Sequence, residues 1–219
     1  MLKRAILLIL AVLAADQALK FWVKLGFYYE ESRPLFGQWG ELHFIENPGM
    51  AFGMSFGGEW GKLLLTLFRI VAVIAIGYSL WRMAQRGAHT GLVVSVALIF
   101  AGALGNIIDS TFYGLIFSAS TPIKKAVLFP PEGGYGTLFH GSVVDMFHFP
   151  IWRGRIPEWS PFWAGQPFEF FRPVFNLADA AITVGVVLFI WFQRSSSRKD
   201  KHLTTGSSEP APSDTPTGM

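Results

Sequence analysis

The chain has 219 residues, of which 51% are apolar and only 15% are charged. Soluble domains carry about 25% charged residues, so the composition excludes an ordinary soluble, disordered or coiled-coil protein. The absence of cysteine excludes disulfide scaffolds and thiolate chemistry, and a net charge of +3 is too small to indicate nucleic-acid binding. The composition predicts a membrane protein.

Four apolar stretches are long enough to cross a bilayer, which takes about 20 helical residues. They run over about 5–23, 63–81, 91–108 and 174–192. We expect helices, because a backbone in lipid must satisfy its own hydrogen bonds. The first stretch follows Lys3 and Arg4, so a cleavable signal peptide is its alternative interpretation. Its apolar character resumes up to Val23, which favours a span.

Two outer loops are predicted between the spans, over about 25–61 and 113–173. In the first, a β-favouring run predicts a short strand that ends at the turn Asn47-Pro48-Gly49, and 52–58 predicts a loop or a second strand. In the second, aromatic side chains among prolines at 150–173 are typical of a membrane interface. We therefore expect one four-helix domain over 1–193 and a disordered cytoplasmic tail over 194–219.

Basic residues at the ends of the spans predict the orientation, because cytoplasmic loops carry the excess of lysine and arginine. If the four helices alternate, all of the following lie on one side: Lys3, Arg4, Arg82, Arg86, Arg194, Arg198, Lys199 and Lys201. Both termini are then cytoplasmic, and the two long loops lie outside.

Polar residues inside the spans collect at the outer leaflet on this topology. An ionisable group in a spanning segment is a functional candidate by default. The candidates are Asp16 and Lys20 in the first helix, Asn106 and Asp109 in the third, and Asn176 and Asp179 in the fourth. Structural roles stay open for most of them, as an ion pair, a helix-end residue or interhelical hydrogen bonding. Asp179 is the exception, because an unpaired carboxylate inside a helix would be costly.

One further acid, Asp145, lies at the centre of an apolar run over 141–149. A buried strand or a re-entrant segment would carry it into the same outer cluster as Asp179. Two carboxylates in a low-dielectric site keep one proton between them, which is the arrangement that aspartic proteolysis uses. His140, Asp145 and His148 fit no strong metal-ligand spacing, so neither a metal nor another cofactor is predicted.

Five blocks of the chain resemble the lipoprotein signal peptidases (signal peptidase II), a family of bacterial four-helix intramembrane aspartic proteases. In order, the blocks begin at Asp16, Asn47, Gly105, Gly141 and Phe175, and they read DQALK, NPGMAFG, GNIID, GSVVD and FNLAD. The resemblance covers about 1–193 and implies an all-α integral membrane protein with four transmembrane helices, a small periplasmic β-cradle and an interfacial aromatic loop. It places the protein in the bacterial inner membrane, with the active site near the periplasmic leaflet.

The resemblance also implies roles for individual residues. Asp145 and Asp179 become the catalytic pair, and the residues that shape the site or bind substrate become Asp16, Lys20, Asn47, Gly49, Asn106, Asp109 and Asn176. The implied substrate is a prolipoprotein whose cysteine bears a diacylglyceryl group, cleaved just before that cysteine by a monomeric enzyme in contact with membrane lipid.

Two departures from the family pattern are visible. Ser110 stands where the family usually has arginine, so Arg172 or Lys20 is expected to supply that function unless it is dispensable. About 35 residues separate Asp109 from Asp145, which predicts an extra outer loop over about 115–140.

The alternative function is a small proton-coupled transporter that uses the same acids as a relay. Such a carrier should place polar groups along the whole depth of the bilayer. Here the second helix has only Thr66 and Arg69, both near its outer part, and the inner halves are almost wholly apolar. A non-enzymatic scaffold would leave the converging acids unexplained.

Overall fold

The computed structural model describes residues 1–37, 39–48, 58–150, 152–170 and 173–205. Within these ranges the long helices are α1 (Leu2–Gly26), α2 (Gly58–Gln85), α3 (Thr90–Ile108) and α5 (Leu177–Thr205). The segments long and apolar enough to cross a membrane are Leu2–Gly26, Trp60–Gln85, Thr90–Ile116 and Leu177–Arg194. Large apolar side chains point outward from them, as in Leu7, Phe68 and Trp191. The prediction of a four-helix membrane protein is confirmed.

Helix α3 is the centre of the bundle and contacts the other three long helices. Two glycines let its backbone approach its neighbours closely. A Cβ at Gly102 would lie 2.2 Å from the carbonyl oxygen of Ala178 on α5, and a Cβ at Gly105 would lie 2.8 Å from a carboxylate oxygen of Asp16 on α1. Small residues at helix contacts are typical of membrane bundles, where packing drives association. The outer ends of α1, α3 and α5 are therefore drawn together.

Beyond α3 the helix widens into a π-helical segment, Asp109–Tyr113, followed by the single turn α4, Gly114–Ile116. Segments of this kind occur mostly as single turns and frequently at functional sites. Here the segment begins at one of the candidate acids.

The predicted extra loop leaves the bundle after this segment and returns to the same place. Phe139 N–H donates to the carbonyl of Thr111 at 3.1 Å, and Gly141 N–H donates to the carbonyl of Ser110 at 2.9 Å. A Cβ at Gly141 would lie 2.1 Å from the carbonyl oxygen of Asp109, so only glycine fits at the point of return. The chain then enters the strand that carries Asp145.

Buried Lys24 anchors this loop to α1. Its ammonium pairs with Glu46, donates to Ser120 Oγ at 3.0 Å and lies 4.7 Å from the ring centre of Tyr135. The Tyr135 hydroxyl accepts a hydrogen bond from Ser142 N–H at 2.7 Å. The loop is thus tied to the strand that follows it.

A four-stranded antiparallel sheet covers the outer end of the bundle, with the order β1-β2-β3-β6. Its strands are β1 (Ser32–Pro34), β2 (Glu41–Asn47), β3 (Val143–His148) and β6 (Val174–Phe175). Strand β2 matches the strand predicted in the first loop, and β3 shows that Asp145 lies on a buried strand rather than a re-entrant segment. The predicted loop or second strand at 52–58 lies outside the described residues as far as residue 57. Gly58 is the first residue of α2.

The aromatic segment of the second loop forms a separate two-stranded hairpin, β4 (Trp152–Arg155) with β5 (Pro167–Phe170). The side chains of Trp159, Phe162 and Trp163 in its connection are 83%, 69% and 69% exposed. Their location at the membrane interface stays a prediction.

Helix α5 is longer than the sequence predicted. Disorder was expected from 194, whereas the helix continues to Thr205 beyond its apolar part, Leu177–Arg194. The reason is that an established helix adds one hydrogen bond for each further residue and needs no new nucleus. The expected disorder of 206–219 lies outside the described residues.

Candidate active site

Strand β3 brings Asp145 into the outer end of the bundle, where its side chain is 2% exposed. Two asparagine amides donate to its carboxyl group. Asn176 Nδ2 lies 2.7 Å from Oδ1, and Asn47 Nδ2, at the end of the paired strand β2, lies 3.3 Å from Oδ2. The carboxyl group is therefore held on both oxygens by neutral donors.

Asp179 lies in the first turn of α5 and is half-buried. Asp179 N–H donates to Asn176 Oδ1 at 3.0 Å, while Asn176 N–H donates back to Asp179 Oδ2 at 3.2 Å. This exchange is a capping box, in which a residue at the helix start and one three positions later satisfy each other's backbone donors. The local sequence Asn-Leu-Ala-Asp thus both starts the helix and orients the carboxyl group of Asp179.

A pair of asparagines connects the two acids. Asn176 Nδ2, which donates to Asp145, also lies 3.1 Å from Asn106 Oδ1, and Asn106 Nδ2 donates to Asp179 Oδ1 at 2.8 Å. Each amide therefore presents its NH₂ group to a carboxyl group. We call Asp145 and Asp179, with Asn106 and Asn176 between them, the paired-acid site.

The environment of Asp145 favours its protonated form. Burial and the nearby charge of Asp179 together raise the pKa of the Asp145 carboxyl to about 7, against the hydrogen bonds from Asn176 and Asn47 and the charge of Lys20, which lower it. Near neutral pH the pair can thus hold one proton and one negative charge, which is the state that acid–base catalysis by two carboxyl groups requires.

Behind the paired-acid site, the ammonium of Lys20 is completely buried. Its Nζ lies 2.9 Å from Asp16 Oδ2, 2.8 Å from Asp109 Oδ2 and 2.9 Å from Asn106 Oδ1. An ammonium has three donors, so each of them has a partner. The contact with Asn106 fixes which end of that amide faces Asp179.

The two acids bound to Lys20 hold the backbone next to the paired acids. Asp16 Oδ1 accepts from Ala178 N–H at 2.9 Å, one residue before Asp179. Asp109 Oδ2 accepts from Val144 N–H at 3.3 Å, one residue before Asp145. Gln17 completes the arrangement by donating to Asp109 Oδ1 at 2.9 Å.

Most of the predicted site residues thus lie in one connected network, whose members are Asp16, Lys20, Asn47, Asn106, Asp109, Asp145, Asn176 and Asp179. Gly49 and Arg172 lie outside the described residues. Lys20 has three partners of its own, and the expectation that it or Arg172 supplies the function of the family arginine stays a prediction. Ser110 Oγ donates to the carbonyl of Asn106 at 3.0 Å.

The residue that sequence reasoning missed is Arg69 on α2, whose guanidinium interacts electrostatically with both Asp145 and Asp179. Its position in the outer part of a span was a visible signal. The direction of its side chain became clear only from the packing of α2.

The described residues contain no group of three or more His, Cys, Asp or Glu side chains placed to hold a metal ion. His148 Nδ1 lies 2.8 Å from Glu41 Oε1, and His140 Nδ1 lies 2.9 Å from Thr137 Oγ1.

The family model described as Signal peptidase (SPase) II matches residues 8–194, which is most of the chain. The chain belongs to the signal peptidase II family. It is therefore an aspartic-type signal peptidase, and the resemblance inferred from the five blocks is confirmed.

Relatives and solved structures agree with this membership. A lipoprotein signal peptidase of Porphyromonas gingivalis is 49% identical over 184 residues, and the alignment covers 84% of this chain and 79% of the relative. One from Amoebophilus asiaticus is 38% identical over 190 residues, and that alignment covers 85% of this chain and 76% of the relative. Two solved structures titled as bacterial membrane enzymes, studied by the in meso method, share the fold with TM-scores of 0.58 at 21% and 22% identity. The first alignment covers 98% of this chain and 96% of the other, and the second covers 88% and 94%.

Replacement of Lys20 by Met in this signal peptidase is expected to lower the free energy of unfolding by about 3–5 kcal/mol, because two buried carboxylates lose their shared cation. Unfolding of the detergent-solubilised protein measures the loss. The matched control is Lys124→Met, at an exposed lysine, which should change stability by no more than about 0.5 kcal/mol. Equal stability of the two variants would contradict the role given to Lys20.

Proposed function

We propose that this signal peptidase is an intramembrane aspartic endopeptidase that removes signal peptides from diacylglyceryl-modified prolipoproteins by cleaving before the lipidated cysteine. The observation that carries the proposal is the paired-acid site, in which two carboxyl groups are joined through two asparagine amides at one end of a membrane bundle. The names of the relatives, lipoprotein signal peptidases, supply the class of substrate.

In the proposed reaction Asp145 carries the proton and Asp179 is ionised. Asp179 removes a proton from a water molecule, whose oxygen attacks the scissile carbonyl carbon while Asp145 donates its proton to the carbonyl oxygen. In the resulting tetrahedral intermediate, Asp145 takes the proton of one hydroxyl group as the carbonyl re-forms. Asp179 gives its proton to the departing nitrogen, and the carbon–nitrogen bond breaks.

The remaining site residues hold this geometry. Asn106, Asn176 and Asn47 orient the carboxyl groups through their amide donors. Asp16, Lys20 and Asp109 fix the backbone that carries the acids. Gly49, outside the described residues, is proposed to shape the site with Asn47.

We place both termini in the cytoplasm and the site at the periplasmic leaflet of the inner membrane. The basic residues at the opposite ends of the helices support this orientation. In the part of the chain that is described, the buried charged side chains all lie at the sheet-covered end: Asp16, Lys20, Lys24, Asp109, Asp145 and His148. A relay across the bilayer would need such groups at other depths, so the proton-coupled transporter is not favoured. One chain supplies both acids, so a monomer suffices, with 1–193 as the peptidase domain.

The first test replaces either acid by its amide, Asp145→Asn or Asp179→Asn. Each change keeps the side-chain shape and removes the titratable proton, so cleavage of a lipidated prolipoprotein should fall by at least about 10³-fold. Gel-shift or mass analysis of the released signal peptide measures the rate. The control is Glu132→Gln, an exposed acid in the extra loop, which should cleave like the unmodified chain. Substantial turnover by either amide variant would remove that acid from the mechanism.

The second test concerns pH. Because the pKa of Asp145 is raised to about 7, this carboxyl group keeps its proton below that pH and loses it above. The value of kcat/KM should therefore fall as the pH rises through about 7, since both acids are then ionised and no acid remains for the carbonyl oxygen. The observed midpoint belongs to the pair of coupled groups. A profile that stays flat to about pH 9 would contradict this assignment of the proton.

The third test concerns substrate recognition. The paired acids lie at the outer end of the spans, so the peptide bond must be held at the interface. Two buried acyl chains give stable membrane attachment where one gives only marginal binding. We expect the unlipidated form of one precursor to be cleaved at least about tenfold more slowly than the diacylglyceryl form in the same detergent. Comparable rates would instead favour a general membrane protease.

A further inference from the structure

One face of α2 is directed at the segment that leads into Asp145. Lys62, Thr66 and Arg69 are spaced by four and then three residues, which places them on the same side of a helix. Lys62 Nζ lies 3.5 Å from Ser142 Oγ, and Thr66 Oγ1 donates to the carbonyl of Phe139 at 3.2 Å. The face therefore packs along the chain just before β3, and Arg69 occupies its next turn into the membrane.

Arg69 is a half-buried cation inside the span Trp60–Gln85. Charged side chains are rare at such depths and usually mark functional positions. Its guanidinium interacts electrostatically with Asp179 and Asp145, whereas the electrostatic partner of Lys62 is Glu46. Lys62 and Arg69 lie on one face of α2 but interact with different acids.

We propose that Arg69 is a positioning residue whose positive charge holds the paired acids in their singly protonated form. This inference rests on the proposed function. Two carboxyl groups that share one proton carry one negative charge, which a low-dielectric site disfavours unless a cation is near. Without that cation a second proton binds more readily, and no carboxylate remains to activate water.

Lys20 also acts on the paired acids, because its charge lowers the pKa of Asp145. It is bound between Asp16 and Asp109, which offset part of that charge. The electrostatic partners of Arg69 are the paired acids themselves. The groups that face the site from the packed elements are Asp16, Lys20, Glu46, Lys62, Arg69, Asp109, Asp145 and Asp179.

The experiment compares the pH dependence of kcat/KM on a lipidated prolipoprotein for Arg69→Met, Arg69→Gln and Arg69→Lys. The two neutral variants should shift the acidic limb of the profile to higher pH by about one unit, so activity falls about tenfold on the acidic side and much less near the optimum. Arg69→Lys keeps the charge and should leave the limb within about 0.3 units of the unmodified chain. The control Lys62→Met removes a cation from the same face and should not move the limb.

The outcomes separate the two proposals. An unmodified chain that fails to cleave lipidated precursor would refute the proposed function itself. If the unmodified chain cleaves, two results would overturn the role of Arg69. One is a neutral variant whose activity falls by the same factor at every pH, and the other is a neutral variant whose activity does not fall at any pH. Thermal unfolding is measured in parallel, and failure of both neutral variants to fold would assign Arg69 to stability and also overturn it.

Discussion

The site depends on one buried ammonium group between two carboxylates. Each ion taken from water loses several kcal/mol of solvation, and a buried pair recovers this only with close geometry and every donor satisfied. Lys20 meets both conditions, since its three donors reach Asp16, Asp109 and Asn106 within 2.9 Å. Helix α1 and the outer end of α3 therefore meet at one point with a fixed separation. The backbone hydrogen bonds that Asp16 and Asp109 accept carry that fixed geometry to the paired acids.

The paired-acid site is built from neutral donors for a physical reason. An arginine or lysine in direct contact would stabilise both acids in their ionised forms, whereas an amide orients a carboxyl group without adding a full charge. Asn106 and Asn176 therefore orient the two carboxyl groups without adding a charge to either. In the proposed mechanism one proton then stays with the pair, and the charge of Arg69 compensates the remaining negative charge.

Much of this arrangement follows from the sequence, because membrane insertion and helix capping leave strong local signals. The four spans follow from length and hydropathy, and the spacing of Asn176 and Asp179 gives both a helix start and a shared face. The apolar run around Asp145 is too short to be a span, and it predicts either a buried strand or a re-entrant segment; the structure has the strand. Several features depend on contacts between distant segments and have no such signal. The π-helical segment at Asp109 and the direction of Arg69 are of this kind.

The extra loop between the two acid-bearing segments leaves and returns at adjacent backbone positions, from Ser110 and Thr111 to Phe139 and Gly141. The length of chain between these points is therefore uncoupled from the geometry of the site. Closing a loop of twice the length costs only about 0.6 kcal/mol more. Natural selection can then lengthen or decorate the parts of this segment that Lys24 and Tyr135 do not anchor, and so change what the outer surface presents, while the distance between Asp109 and Asp145 stays the same.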